Sequence, residues 1–267
     1  MNTSEVRALF AQTLLGDYEA EDAWAAVSAL RRDGSRETFD YTAAWCVSDD
    51  PLKRARAAAI LCQLRRASSA NAPVEQPDPP EWMFRDESYT LITQMLEDEQ
   101  DPMVLDSAIH ALGHLQNAGA VPLILRYQDH PDDKIRFAVA FALGCFPNDP
   151  RSVHSLIELT SDADAGVRDW AVFGLGVLGD ADSPEIREAI LRCLDDAEED
   201  VREEAAVGLG KRRDQRLIPK LWTMLDDELN FRVVEAVAAL LGLDHVRPEW
   251  TSADYKTALA SKFQISN

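Results

Sequence analysis

Residues 162–176 read DADAGVRDWAVFGLG, and this frame returns three more times in the chain. It stands at 132–144 as DDKIRFAVAFALG, at 198–210 as EEDVREEAAVGLG and, worn, at 101–113 as DPMVLDSAIHALG. An acidic residue opens each copy, an aliphatic-Arg pair follows (Val104-Leu105 in the worn copy), and Leu-Gly closes it. The closing glycines, Gly113, Gly144, Gly176 and Gly210, are spaced by 31, 32 and 34 residues. A period in this range is the signature of stacked helical hairpins, none of which can bury its apolar face alone.

The rest of the chain agrees with that reading. Ala and Leu are abundant and strand-like alternation is absent, so the fold class is all-α. The 267 residues suit one elongated array better than two globules. A net charge of −20 argues against nucleic acid, whose phosphates are bound by clustered Lys and Arg. It argues equally against anionic membrane surfaces, and it suits a basic protein partner. Cys46, Cys62, Cys145 and Cys193 form no CxxC and sit in helical patterns, as expected of reduced thiols in the cytoplasm. The opening MNTSEVRALF lacks the basic and apolar regions of a signal peptide, and no apolar run approaches a membrane span.

In order, residues 1–35 hold two helices outside the frame and are expected to cap the array, with Thr3 or Ser4 capping the first and Trp24 facing inward. A first repeat spans 36–66, with Asp50-Pro51 opening its second helix and Arg54 in the Arg slot. Residues 67–86 form an insertion in which Pro73, Pro77, Pro79 and Pro80 forbid helix. Its last apolar residues, Trp82-Met83-Phe84, are expected to settle back onto the stack; the other use of such a cluster is a lid or docking loop. Regular repeats fill 87–242, with outer helices near 89–96, 121–127, 153–160, 186–194 and 217–225. Residues 243–267 carry Trp250, Tyr255, Leu259 and Phe263 on a closing helix.

The pattern D-x-x-V-R-x-x-A-x-x-x-L-G resembles the HEAT repeat, in the short bacterial form called the PBS-lyase HEAT-like repeat. The likeness covers about residues 36–242. It implies a right-handed α-solenoid, a superhelix of antiparallel helix pairs with helical caps. HEAT proteins serve as adaptors, chaperones and occasionally enzymes, so the likeness speaks to fold far more than to activity. The HEAT-repeat hydroxylase of the deoxyhypusine pathway holds two irons with His-Glu pairs just after the frame's Arg. Here those slots are Phe137-Ala138, Asp169-Trp170 and Glu203-Glu204, and no His-Glu pair occurs. The HEAT-like DNA glycosylases offer DNA a basic groove, which this acidic chain lacks. The phycobilin lyase subunits work with a partner subunit, a role the pattern alone leaves open.

Within the frame, Arg136, Arg168 and Arg202 are expected to bond acidic or carbonyl groups of a neighbouring turn, because a buried guanidinium must be paired. The first, fifth and ninth residues after that slot share one helix face. They are Asp106, His110 and His114; Phe137, Phe141 and Cys145; Asp169, Phe173 and Val177; Glu203, Val207 and Lys211. Trp170 lies beside them. Aromatics where solvent should reach, rimmed by Asp106, Asp169, Glu203 and Glu204, suit a protein or peptide partner. The competing expectation is that tight packing buries Phe137 and Phe173 as core.

His110 and His114 stand i,i+4, a spacing that can hold a metal, but no third ligand is apparent and HExxH is not formed; no metal site is assigned. The turns between helices carry seventeen carboxylates, expected as helix caps plus a solvated negative ridge. No nucleophile-base set, phosphate loop or dinucleotide turn is present. The reading is therefore a scaffold without catalytic residues or cofactor, binding a protein or peptide (a basic one by charge) on the concave face of the central repeats. The alternatives are a lyase-like or accessory subunit holding a small molecule in that groove, and an acidic inhibitor of a basic partner. Oligomeric state is not encoded in these features.

Overall fold

The structure, a computed structural model, describes residues 1–66, 81–226 and 229–265. The fold class is the all-α solenoid, and backbone packing divides the chain into two compact units, Met1–Ala142 and Leu143–Asn267. Most of the proline-rich insertion, with Pro73, Pro77, Pro79 and Pro80, lies outside the described residues.

In the first unit, α1 (Thr3–Gln12), α2 (Glu21–Asp33), α3 (Arg36–Trp45), α4 (Pro51–Leu61), α5 (Arg85–Leu96) and α6 (Pro102–Leu115) make three hairpins. Helix α1 packs on α2, α3 on α4 and α5 on α6, while α4 also packs against both α2 and α6. The N-terminal pair is thus a layer of the stack, with α2 in the inner row. Asn2, rather than Thr3 or Ser4, caps α1, in a capping box with Glu5. Asp50 and Asp101 cap α4 and α6, each followed by Pro at the first helical position, where no N–H is needed.

A two-stranded ladder, β1 (Arg65–Arg66) with β2 (Glu81–Trp82), is an element the helical pattern did not announce. Gly34 makes room for it. It ends α2 with φ of +51°, and a Cβ there would stand 2.5 Å from the Arg65 carbonyl oxygen. Phe84 returns to the stack as expected, its ring 4.7 Å from Phe39, with the Arg36 guanidinium 5.0 and 5.5 Å from the two rings. Trp82 does not follow it and remains 43% exposed.

Short helical turns at Ala118–Ala120, α7 (Val121–Ile124) and Leu125–Tyr127 replace the single helix expected over 121–127; α8 (Asp133–Gly144) follows. The second unit repeats the hairpin plan with α9 (Pro150–Leu159), α10 (Ala165–Phe173), α11 (Pro184–Cys193), α12 (Glu199–Lys211), α13 (Ile218–Met224) and α14 (Phe231–Leu241). Helices α9, α11 and α13 are the outer members, and α12 packs against both α10 and α14. Helix α15 (Ser252–Phe263) lies on α14, and Tyr255 and Leu259 are fully buried.

Glycines set the helix spacing in this unit. A Cβ on Gly208 would fall 2.8 Å from the Gly176 Cα, and one on Gly210 would fall 2.5 Å from the Ala236 carbonyl oxygen. After Phe173 the helix widens into a π-turn, Gly174–Leu178. Arg212 answers its loosened carbonyls, donating to the oxygens of Leu175, Gly176, Gly179 and Ala181 at 2.6–3.2 Å and to Gly208 at 3.0 Å.

The arginine slot behaves as a strut. Arg54 donates to the Ser48 carbonyl in its own turn at 2.8 Å and grips Glu99 of the next turn with two nitrogens at 2.7 and 3.0 Å. Arg168 does the same with the Asp162 carbonyl and with Asp196, at 2.7 Å to both carboxylate oxygens. Arg136 and Arg202 donate to carbonyls of their own turns, His130 and Asp196 respectively. Planar, bidentate geometry explains why the frame uses Arg rather than Lys.

Candidate functional site

In the second unit, α10 supplies Asp169, Trp170 and Phe173, α12 supplies Glu203, Glu204 and Val207, and α14 begins with Phe231 and Arg232. Trp170 and Phe173 are half-buried and meet edge to face at 5.4 Å. Arg232 sits 5.9 Å from the Phe173 ring centre and bonds one oxygen of Glu204; its other nitrogen reaches Glu235 at 2.9 Å. Asn230 donates to Glu203. Two acceptors are left over: Asp169 Oδ1 and Glu204 Oε2 are buried and receive no hydrogen bond. Burial raises the Asp169 carboxyl above its usual range, Asp200 adds to this, and Arg232 opposes it. Glu203 is also raised, chiefly by burial. A buried carboxylate oxygen without a donor is unfavourable, and a cationic donor from outside would relieve it.

One expected member drops out. Val207 is fully buried, because the glycine contacts that draw α12 onto its neighbours close over this slot. Phe231, read only as the start of the last inner helix, is 68% exposed and precedes Arg232 in the chain. The pattern gave no warning of it, since a residue at a helix start escapes the face periodicity.

In the first unit, Asp106, His110 and His114 line one face of α6 and meet aromatics from α8. His110 lies 4.8 Å from Phe141 and 6.1 Å from Phe137, and His114 lies 5.2 Å from Phe141, between ring centres. Phe137 and Phe141 are half-buried, so these rings are neither free surface nor closed core. His110 Nδ1 is 3.0 Å from the Asp106 carbonyl oxygen and 3.5 Å from its carboxylate. Gln63 Nε2 donates to His114 Nδ1 at 3.2 Å. Burial, helped by Arg31 and His110, lowers the His114 pKa to about 4. Burial raises the Asp106 carboxyl, against the pull of His110.

These α6 residues form one wall of a cavity of about 260 Å³ whose other walls are Tyr18, Trp24, Arg31 and Cys62. The sequence pattern missed that wall, because Tyr18, Trp24 and Arg31 lie outside the repeat frame. Trp24, expected to face inward, is half-buried with an edge on the cavity.

Among the described residues no group of three His, Cys, Asp or Glu is placed to hold a metal ion. Burial pushes the thiols of Cys46 up to about 12 and of Cys145 and Cys193 up to about 11, which makes them poor nucleophiles. No described helix is long and apolar enough to cross a membrane.

Stacked hairpins, arginine struts and glycine closes define a helical-repeat scaffold, and its family follows from comparison. The model for HEAT repeats matches residues 89–176 and 156–242, more than half of the chain, and the protein belongs to that family. It is similar to Protein YibA of Escherichia coli (strain K12), 24% identical over 227 residues that cover 83% of this chain and 74% of YibA. The X-ray structure of E. coli YibA superposes with a TM-score of 0.69 at 21% identity, covering 100% of this chain and 93% of that one, and so shares the fold. Human deoxyhypusine hydroxylase, solved in complex with glycerol, aligns over 99% of this chain and 91% of its own at 18% identity and a TM-score of 0.38.

Proposed function

We propose that the protein is a non-catalytic interaction scaffold of the cytoplasm that binds a protein or peptide through the exposed faces of its inner helices. The α10–α12–α14 cluster is the principal contact, and the partner presents a Lys or Arg to it. The observation that supports this most is the pair of donorless buried oxygens, Asp169 Oδ1 and Glu204 Oε2, beside the half-buried rings of Trp170 and Phe173. A partner's ammonium or guanidinium would supply those donors and lie against an aromatic face. Phe231, exposed next to Arg232 in the chain, would add apolar area of the kind that anchors interfaces. The chain's net charge of −20 would steer a basic partner toward it.

The test is a displayed library of short peptides, with binding of selected members measured by fluorescence anisotropy across a salt series. Selected sequences should be enriched in Lys or Arg next to an apolar residue, and affinity should fall as salt rises. Phe173→Glu should weaken binding by about 30-fold, the size of a hot-spot loss near 2 kcal/mol, with helicity unchanged. Enrichment of acidic peptides, or binding indifferent to Phe173→Glu, would overturn the proposal.

A further inference from the structure

From the first unit we infer that the cavity between α2, α4 and α6 is a binding site for a free amino-acid-sized zwitterion, with Arg31 holding the carboxylate, Trp24 flanking the side chain, and Glu19 and Asp106 receiving the ammonium. This stands independently of the interaction face on α10, α12 and α14.

Arg31 is the first reason. Four half-buried arginines of this chain are matched to carboxylates, Arg54 to Glu99, Arg168 to Asp196, Arg187 to Asp182 and Arg232 to Glu204, while Arg85 and Arg202 serve main-chain carbonyls outside this cavity. Arg31 donates only to the Ala59 carbonyl at 2.8 Å and to the Cys62 sulfur at 3.7 Å, and no described carboxylate lies within ion-pairing distance of it. The chain has 47 acidic and 27 basic residues, yet no described carboxylate is set against this half-buried guanidinium. It lines a cavity, where an incoming anion can reach it.

A second cation stands behind it. Arg56 is fully buried, donates to the carbonyls of Thr13 and Tyr18 at 3.0 and 2.8 Å, and keeps Nη1 without any partner. Its guanidinium lies 4.5 Å from the Tyr18 ring centre and 4.9 Å from that of Trp24, and Arg31 lies 5.8 Å from Trp24. Two guanidiniums without carboxylates therefore flank one indole. Buried uncompensated charge is costly, and an anion bound beside Trp24 would offset both.

The remaining lining fits the rest of such a ligand. Gln63 can only donate to His114 Nδ1, which makes Nε2 the protonated nitrogen of the neutral ring and a second donor for a carboxylate. Asp106 and Glu19 lie on the lining too, and Asp106 is a half-buried carboxylate whose neighbour on the helix is His110. An acid at one place and an unpaired cation at another select a molecule bearing both charges. The volume, about 260 Å³, lies just below the range of about 300–1,000 Å³ usual for larger ligands.

The experiment uses the intact chain and calorimetry with the twenty standard free amino acids, followed by the carboxamide and N-acetyl forms of any binder. At least one amino acid should bind with a Kd of about 1 mM or tighter. Both the carboxamide and the N-acetyl form should lose at least about tenfold, and Arg31→Gln should lose as much. Bound ligand should also raise the pH at which the His114 resonance titrates. Should Arg31→Gln fold poorly, the ligand series alone decides the matter, since it needs no variant. Absence of binding by the whole panel, or a carboxamide or N-acetyl form that binds as well as the parent, would refute the site.

Discussion

Replacing Gly210 by Ala asks whether α12 and α14 are in true backbone contact. In the interior of an ordinary helix, Gly→Ala stabilises by about 1 kcal/mol, because Ala loses less backbone entropy. Here the added carbon would stand 2.5 Å from the Ala236 carbonyl oxygen and 3.2 Å from its carbon. An ordinary carbon–oxygen approach is about 3.3 Å or more, so α14 must shift by most of an ångström. Backbone cannot rotate away as a side chain can, and overpacking of this kind costs about 1–3 kcal/mol. Taking the upper end and subtracting the propensity gain leaves a net loss of about 2 kcal/mol. Gly174→Ala is the control. Its new carbon would meet a Leu156 methyl at 3.2 Å and the Gly144 Cα at 3.2 Å, contacts that yield by a few tenths of an ångström. There the two effects nearly cancel. A repeat array need not unfold in one step, so the assay is amide hydrogen exchange of α12 and α14. Exchange in these helices should quicken about 30-fold in Gly210→Ala and little in Gly174→Ala. A Gly210→Ala chain as protected as the parent would refute the close helix approach, and with it the reason given for the burial of Val207.

Asp196→Asn should cost about 2 kcal/mol at neutral pH by weakening the bidentate Arg168 strut. Arg168 holds the Asp196 carboxyl below its usual range. The stabilisation is therefore complete above the unfolded carboxyl pKa of about 3.9, and it fades as pH falls through the lower folded value. Urea midpoints of the two proteins should differ by a constant amount near neutrality and converge below about pH 4. For His114 the sign is the same, and the window lies at higher pH. Its pKa falls from 6.5 to about 4 on folding, so the unfolded chain takes up the proton first and stability drops as pH falls through that window. His114→Gln should flatten the slope of the urea midpoint between those two values, and an unchanged slope would count against the buried neutral ring.

The repeat frame was legible because it is local. The acidic residue that starts a helix, the strut arginine and the closing glycine all act within one hairpin or on the next, so a single copy shows the rule and the others repeat it, with Leu105 replacing the arginine in the worn one. What escaped the pattern depends on distant pairs. The Arg65–Trp82 pairing of the small ladder spans the insertion. Arg212 serves carbonyls 31–37 residues earlier, on a π-turn that no residue pattern signals. Trp24 and Arg31 line one cavity with the α6 histidines because α2 packs on α4 and α4 on α6, and Tyr18 joins them from the loop before α2. Among the expected contact residues, Asp169, Trp170 and Phe173 share a face as the i,i+4 spacing requires. Val207 fails because its burial is decided by how closely two other helices approach.

The acidic turns show where the chain's charge goes. They were expected to leave a solvated ridge, yet much of it is used by the fold. Asp101 and Asp164 cap helices, and Glu99 and Asp196 receive the struts and nearby backbone N–H groups. Asp195 and Asp226 meet Lys220 and Lys256. The unmet hydrogen-bonding capacity lies elsewhere, on the inner helices, at Asp169 and Glu204. A turn carboxylate in water loses little when it lacks a partner, whereas a buried one must find a donor or bind a proton. Charge density alone would place recognition on the turns. Desolvation is the argument for the proposed aromatic face, because a partner's cation would gain most where water has already been removed. On the proposed reading the net charge would act at long range, raising the rate of encounter with a basic partner, while those two oxygens and the neighbouring rings would decide which encounter lasts.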